Sequence, residues 1–334
     1  MAVSAHRVNV FPDPRALEKG GNPTTIFLDA HHLTHAEMQE LARACVHECG
    51  FVVEGPTLRT NNASGPACYD VSLQFWVPGH EMEMCGHATI GALWLIEGLG
   101  KFPDARRVSV TTKAGVFEAL LPQPEASSEG SSWAGQVRVS QPRGSAESLS
   151  LADGELVAEA LSASVENIVA LKEIQNAATS RTKTLVPLKS LDALHSLRPT
   201  ATSVRSVCEA IGSTGLYPYV TIDENTFSAR QFPKSSGYLE DPATGIAATA
   251  LVCGLLEKGV VAQHETRTLT IRQGEAMGRP SEIGVTLRRD SSSSEVRGYW
   301  LSGIAAAMDL DGNVLPKLDD LNRRLGSSHR ENES

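Results

Sequence analysis

The chain has 334 residues, of which 41% are hydrophobic and 21% charged, a composition typical of a globular protein with a substantial core. Its length exceeds that of a usual single core and therefore predicts two domains. The formal net charge of −9 disfavours nucleic acid and acidic lipid surfaces as partners, because phosphate groups bind cationic surfaces. Apolar stretches are too short for the ~20 residues that cross a bilayer, and the first residues lack a signal-peptide core. We expect a cytosolic protein.

The six cysteines are few and scattered for a chain of this length, so we expect reduced thiols rather than a disulfide framework. Cys45 and Cys49 lie four residues apart on a predicted helix, a spacing that also suits a metal pair. No second CxxC or HxxxH completes a zinc set. The sequence therefore favours ordinary buried thiols and predicts no metal.

In the first half of the chain, Thr34 is followed three residues later by Glu37, which predicts a capping box at the start of a helix. That helix is expected to end near Glu48 and Cys49, before Gly50. A helix of small apolar residues is expected to be buried centrally in its domain. The predicted strands are His6–Phe11, Thr24–Leu28, Phe51–Glu54 and Tyr69–Val77, and the small-residue helix is Ala88–Leu99.

The same order of elements recurs from Leu151, and a second small-residue helix follows YLEDPATG. We predict an α/β fold of two pseudo-symmetric lobes. Their bounds are 1–121 and 151–322, with a linker or insertion over 122–150, a disordered tail over 323–334 and, as an open alternative, strand exchange from the C-terminus. Predicted elements of the second half include strands Val165–Leu171, Thr184–Leu188 and Leu216–Ile222 and helices Glu155–Leu161 and Ser203–Ile211.

An internal match supports duplication of the lobe. Two segments align without gaps, about one half-chain apart, in the same strand, turn and helix context. The alignment places Gln74-Phe75 on Gln231-Phe232, Glu83 on Glu240, Met84 on Asp241, Cys85 on Pro242, His87 on Thr244 and Ala88 on Gly245.

Duplicated lobes of this kind would place two helix N-termini across a cleft from each other. Unpaired amides and the helix dipole favour an anion there, such as a substrate carboxylate. The small residues Gly86, Ala88, Ala243 and Gly245 would let the backbone approach a ligand. The alternative is that both segments are only tight strand-to-helix turns.

Titratable residues accompany these turns. Glu48, in HECGFVV, is expected to be partly desolvated and suited to taking and returning a proton. His87 and Asp241 occupy the two matched turns and would orient the substrate or share the proton. Cys85 offers an alternative acid/base thiol or nucleophile. No phosphate loop and no GxGxxG after a strand is present, so no nucleotide cofactor is predicted.

Five blocks in order carry a specific resemblance: VNVF…GNPTTIFLDA, MQELAR…HECGFV, CGHATIGA, EDPATGIAA and RQGEAMGRPS. Together they resemble the PhzF-like family, the phenazine-biosynthesis isomerase group within the diaminopimelate epimerase-like fold. The resemblance implies two lobes, each a curved and mostly antiparallel sheet or barrel around a central helix. It also implies a homodimer, no cofactor, and an isomerisation that moves a proton between ring carbons of a dihydro-hydroxyanthranilate.

The family's catalytic glutamate, histidine and aspartate fall on Glu48, His87 and Asp241. Two departures concern the substrate: His47-Glu48-Cys49 replaces a usual Ser-Glu-Thr, and Ile246 replaces a usual serine. The predicted substrate-binding residues are Asn22, Cys85, Gly86, Ala88, Thr244, Gly245 and Ile246.

The favoured hypothesis is a cofactor-independent isomerase of a small carboxylate metabolite, with Glu48 as acid and base. One alternative is an amino-acid racemase or epimerase that uses Cys85 with a carboxylate. Another is a binding protein of the same fold that lacks chemistry.

Overall fold

A computed structural model describes residues 3–59, 67–122, 136–290 and 292–309. The predicted tail over 323–334 and residues 123–135 of the predicted insertion lie outside these residues. The chain divides into two compact units, unit 1 (Met1–Val139 with Ser302–Ser334) and unit 2 (Ser140–Leu301).

These bounds differ from the predicted ones at both junctions. The sequence predicts a linker over 122–150, whereas two strands lie at Arg138–Pro142 and Ser145–Ser148. It also assigns the C-terminal segment to the second lobe, whereas Ala305–Met308 pairs antiparallel with the first strand of unit 1. The C-terminal strand Ala305–Met308 thus belongs to unit 1.

Unit 1 is built on a mixed sheet in which antiparallel pairs predominate. Its order is β18-β1-β2-β3-β4-β6-β7, and the β2–β3 and β4–β6 pairs are parallel. A two-residue strand, β5, pairs with the end of β4. The elements are β1 (Ser4–Val10), β2 (Asn22–Leu28), α1 (His35–Cys45), β3 (Cys49–Arg59), β4 (Ala67–Trp76), β5 (Glu81–Met82), α2 (Gly86–Gly98), β6 (Ala105–Thr112), β7 (Gly115–Leu120) and β18 (Ala305–Met308).

The helix α2 is the centre of unit 1. Ten of its thirteen residues are buried, most of them small or apolar, and it packs against β1, β2, β3 and β18. Close packing depends on Gly91, because a Cβ there would lie 3.1 Å from Val10 and 3.3 Å from Thr24. The buried small-residue helix that the sequence predicts over Ala88–Leu99 is confirmed, with its start two residues earlier.

The helix α1 shows how the turn that carries Glu48 forms. The predicted capping box is present, with Thr34 and Glu37 bonded reciprocally. The helix ends at Cys45 because Val46 adopts a left-handed conformation, φ 62° and ψ 11°. The prediction that the helix extends to Glu48 is therefore wrong, and Glu48 lies in the turn before β3.

Unit 2 repeats the pairing pattern of unit 1. Its order is β9-β10-β11-β12-β13-β15-β16, and the β11–β12 and β13–β15 pairs are parallel. The elements are β8 (Arg138–Pro142, across the division), β9 (Ser145–Ser148), α3 (Leu151–Ala160), β10 (Gln175–Ala178), β11 (Thr182–Pro187), α4 (Leu191–Ser196), α5 (Ala201–Ala210), β12 (Gly215–Thr221), β13 (Thr226–Ala229), β14 (Phe232–Pro233), α6 (Gly245–Glu257), β15 (Leu269–Gln273), β16 (Ser281–Arg289) and β17 (Val296–Ser302).

The order of antiparallel and parallel pairs is the same along both sheets. The C-terminal strand β18 has in unit 1 the place that β9 has in unit 2. In each unit a helix of 13 residues, α2 or α6, packs against that unit's sheet and is mostly buried. The predicted α/β fold of two similar lobes, each with a central helix, is confirmed.

One predicted element of unit 2 is wrong. The sequence predicts a strand over Val165–Leu171, whereas short 3-10 turns occupy Val165–Asn167 and Leu171–Glu173. Val165 and Val169 are more than half exposed, so the apolar run is not a buried strand. Within the described part of the chain, no helix has the length and apolar character to cross a membrane.

Candidate active site

In unit 1 the candidate base lies between α1 and β3. The hydroxyl of Thr24, fully buried on β2, donates to the backbone carbonyl of Glu48 at 2.9 Å. The parallel pairing of β2 with β3 starts one residue later, at Thr25 and Cys49. The backbone of Glu48 is thus fixed to the sheet, while its side chain is half-exposed.

His87 and Cys85 form the first turn of α2. The Cys85 thiol lies 3.3 Å from Nδ1 of His87, and the two residues are 4% and 8% exposed. Burial lowers the pKa of His87 below its ordinary value, and the nearby Glu48 carboxylate opposes that shift. His87 is therefore a neutral imidazole near pH 7, within the electrostatic reach of Glu48.

The residues on either side of Glu48 are also titratable. A hydrogen bond with Cys49 lowers the pKa of Cys45 to about 6, and the guanidinium of Arg7 contributes in the same direction. The same thiol pair and burial raise the pKa of Cys49. Burial lowers the pKa of His47, with Arg7 adding to the shift and Glu48 opposing it. All six cysteines are free thiols, as the sequence predicts.

In unit 2 the corresponding turn is organised by a buried glutamine. Nε2 of Gln273 donates to the carbonyl of Asp241 at 2.7 Å, and its Oε1 accepts from the Tyr217 hydroxyl at 2.9 Å. The Thr244 hydroxyl donates to Oδ2 of Asp241 at 2.5 Å. The carboxyl group of Asp241 is therefore oriented by its own turn. Gln273 belongs to the RQGEAMGRPS block, but its spacing from Asp241 gave no signal of this contact.

A buried ion pair anchors the segment before Asp241. Arg230 binds Glu240 through two bonds, of 2.9 and 2.7 Å, and the two side chains are 8% and 10% exposed. Its remaining nitrogen donates to the carbonyls of Leu194 and Leu197. The guanidinium also lies over the ring of Phe232. This pair ties the turn that carries Asp241 to the sheet and to α4.

The structure adds a buried lysine that sequence reasoning missed. Lys183, on β11, is 5% exposed, and burial lowers its pKa to about 8, a shift that the Asp241 carboxylate opposes. Lys183 lies between two threonines in TKTLVP, and every residue of the strand from Lys183 to Pro187 is buried, so no alternation in the sequence marks the lysine as buried.

The two central helices begin alike. Cys85 is the N-cap of α2 and Thr244 that of α6, with similar extended backbone angles, and among the described residues neither side chain caps its own helix. Cys85 therefore corresponds to Thr244 and Gly86 to Gly245. The gap-free match of Cys85 with Pro242 is wrong by two residues, because the second turn is two residues longer. Cys85 still has no thiol counterpart.

Six of the predicted site residues lie in unit 1 and four in unit 2. Asn22 begins β2 and is 7% exposed, two residues before Thr24. A Cβ on Gly245 would lie 2.5 Å from Cδ2 of Leu301, so this glycine is needed for packing of α6, whatever its role toward a ligand. The unit 1 residues are Asn22, Glu48, Cys85, Gly86, His87 and Ala88, and the unit 2 residues are Asp241, Thr244, Gly245 and Ile246.

The chain is similar to proteins named as isomerases. The chain is 25% identical over 273 residues to the uncharacterized isomerase YfhB of Bacillus subtilis, covering 80% of this chain and 85% of that protein. It is 27% identical over 266 residues to trans-2,3-dihydro-3-hydroxyanthranilate isomerase of Pseudomonas chlororaphis, covering 78% and 83%. A PhzF-family phenazine biosynthesis protein of Bacillus anthracis has the same fold, with a TM-score of 0.72, 22% identity and coverage of 92% and 98%.

The family model for phenazine biosynthesis-like proteins, PhzC-PhzF, matches residues 10–309. The chain belongs to this family. The predicted resemblance and the predicted enzyme class, an isomerase, are confirmed.

Proposed function

We propose that the protein moves a proton between carbon atoms of a small carboxylate-bearing metabolite, with Glu48 as the acid and base. The observation that carries this proposal is the electrostatic influence of the half-exposed Glu48 carboxylate on the buried His87, whose pKa burial lowers. Two titratable groups in different environments, one accessible and one desolvated, are a frequent basis for acid and base roles.

The proposed isomerisation involves no net oxidation or reduction of the substrate. The Glu48 carboxylate takes a proton from a carbon next to an imine, enol or carboxylate. The C–H electron pair forms a new double bond to the neighbouring carbon, and the π pair displaced from that carbon moves to the far atom of its former double bond. The resulting carboxylic acid returns the proton at a second carbon. Neutral His87 positions the substrate and donates or accepts a hydrogen bond at the atom where charge develops.

We assign the substrate carboxylate to the N-terminus of α2, in the unit that carries Glu48 and His87. Helix α2 begins without a side-chain cap among the described residues, and its first amides and dipole favour an anion. In unit 2, Thr244 holds the carboxyl group of Asp241 and Gln273 holds its backbone carbonyl, and we propose that Asp241 also takes part in the reaction.

The test follows solvent deuterium. The protein is incubated in deuterium oxide with amino acids, hydroxyanthranilate-like dienes and other carboxylates, and exchange is followed by NMR. Exchange into one class of compound, lost in Glu48→Gln and kept in Glu40→Gln, would support the proposal. Glu40 is a suitable control because it is exposed on α1. Exchange that survives Glu48→Gln would contradict it.

Racemisation or epimerisation is a second candidate because the Cys85 thiol is buried against His87. In this mechanism the thiol and a carboxylate act on opposite faces of one α-carbon. Deuterium would appear at the α-carbon and Cys85→Ala would abolish turnover. If Glu48 alone is the acid and base, Cys85→Ala keeps most of the exchange.

A binding protein without chemistry would bind a carboxylate yet exchange no proton in any substrate. The homodimer, the cytosolic location and the independence from cofactors stay predictions. Gel filtration would test the first, cell fractionation the second, and activity after treatment with a metal chelator the third.

A further inference from the structure

Three soft metal-ligating side chains meet where α1 ends. Cys45 is the last residue of the helix and Cys49 the first of β3, with His47 in the turn. One candidate ligand atom from each residue lies within 4.8 Å of the other two. We propose that this Cys-His-Cys cluster, Cys45, His47 and Cys49, binds one thiophilic divalent metal ion of the zinc class.

The left-handed turn creates the cluster. On a continuous helix, His47 would point away from the face that Cys45 and Cys49 share, since residues two apart do not face each other. The left-handed conformation of Val46 ends the helix and brings the three side chains together. A pairwise search for CxxC or HxxxH spacings does not find such a set, which is why the sequence predicts only ordinary thiols here.

The distances suit an ion after a small contraction. Zinc lies about 2.3 Å from sulfur and about 2.0 Å from nitrogen, so ligand atoms around a tetrahedral ion are roughly 3.5–3.8 Å apart. The ligand atoms therefore need to approach one another by about 1.3 Å at most. Cys49 is fully buried and fixed in β3, whereas Cys45 is half-buried and next to the 79% exposed Val46. Cys45 is the ligand that moves, and its side is the entry path.

Thr25 orients all three ligands from the neighbouring strand. Its Oγ1 lies 2.9 Å from Nε2 of His47 and fixes the orientation of that ring. Thr25 also bonds with the Cys45 thiol and, through its backbone, with Cys49. Outer groups of this kind fix the ring orientation of ligating histidines in known metal sites.

The charge and the softness of the ligand atoms favour a divalent zinc-class ion. Two thiolates neutralise a divalent cation, and the two charged groups that act on the cluster, Arg7 and Glu48, have opposite signs. Thiolate and imidazole prefer zinc over magnesium or calcium, which favour oxygen ligands. With three protein ligands, a tetrahedral ion keeps one position for water.

Binding is measured on the full chain with reduced thiols and without substrate, so the result is independent of the proposed function. Zinc is titrated against a chromophoric chelator, and cobalt is used as a spectroscopic probe of thiolate ligation. We expect one zinc ion per chain, a thiolate-to-cobalt charge-transfer band, and no competition by excess magnesium. The half-buried position of Cys45 makes Cys45→Ser the variant most compatible with folding.

Cys45→Ser and His47→Ala are each expected to weaken zinc binding ~100-fold or more, and Thr25→Val ~10-fold or more. Cys68→Ser, a half-buried cysteine on β4, is the matched control and should bind like the unmodified chain. Equal zinc affinity of the unmodified chain and Cys45→Ser would overturn the site. Absence of zinc binding, with a Cys45–Cys49 disulfide forming once reductant is removed, would overturn it too and assign the pair to thiol oxidation.

Discussion

The Cys85 thiol lies 3.3 Å from Nδ1 of His87, and both residues are buried at the first turn of α2. Their burial has a consequence for stability, because burial lowers the pKa of His87 in the folded state. As pH falls below the ordinary histidine value of 6.5, the unfolded chain protonates first. The free energy of unfolding therefore decreases as pH falls from 7 toward 5.

His87→Asn is expected to make this loss of stability less steep. Buried His6 and half-buried His47 have lowered pKa values as well, so part of the slope will remain. Urea unfolding at pH 7, 6 and 5 measures it. The exposed His31, changed to Asn, serves as control and should leave the slope unchanged; an unaltered slope in His87→Asn would contradict the neutral, buried imidazole.

In unit 2, the buried Lys183 ammonium also makes stability depend on pH, but in the alkaline range. Its pKa is about 8 in the folded chain against an ordinary 10.5, so the unfolded state binds more protons between these values. The free energy of unfolding should rise with pH across that window, and the lysine destabilises the fold at pH 7. Lys183→Met is expected to flatten the rise and stabilise the protein at pH 7. The exposed Lys189, changed to Met, should do neither.

The Arg230–Glu240 pair should be costly to break. Glu240→Gln leaves a buried guanidinium with weaker partners, and loss of one member of such a pair typically costs about 3–5 kcal/mol. Bonds from Arg230 to two backbone carbonyls place the expected cost at the lower end. In the exposed pair of Arg143 with Glu295, Glu295→Gln should cost less than about 1 kcal/mol. Similar costs for both variants in urea unfolding would contradict the burial of the first pair.

Val46 is a β-branched residue in a conformation that favours glycine. Val46→Gly relieves that strain at a site that is 79% exposed, and should raise the free energy of unfolding by ~1 kcal/mol. Val46→Ala keeps a side chain in the left-handed region and should change stability much less. A destabilised glycine variant would show that the valine makes contacts worth more than the strain.

Sequence patterns predicted the elements whose character is local. The capping box of Thr34 and Glu37 and the small-residue helices follow from residue types and spacing, and the structure has them within about two residues. The roles of Glu48, His87 and Asp241 rest on the family blocks and the matched turns, and they stay predictions.

Features that depend on distant partners could not be predicted in the same way. No residue next to Val46 indicates a left-handed conformation, so the sequence predicts neither the end of α1 at Cys45 nor the cluster around His47. Pairing of β18 with β1 joins residues almost a whole chain apart. The contact of Gln273 with Asp241 likewise depends on tertiary packing.

The most direct test of the central claim is the rate of deuterium incorporation into an identified substrate by Glu48→Gln, compared with Glu40→Gln. General acid and base groups typically contribute 10²–10⁴-fold, so we predict a loss of at least ~100-fold for Glu48→Gln and an unchanged rate for Glu40→Gln. Circular dichroism and urea unfolding of both variants establish that each is folded. A folded Glu48→Gln protein that exchanges protons at the unmodified rate would contradict the assignment of Glu48 as the acid and base.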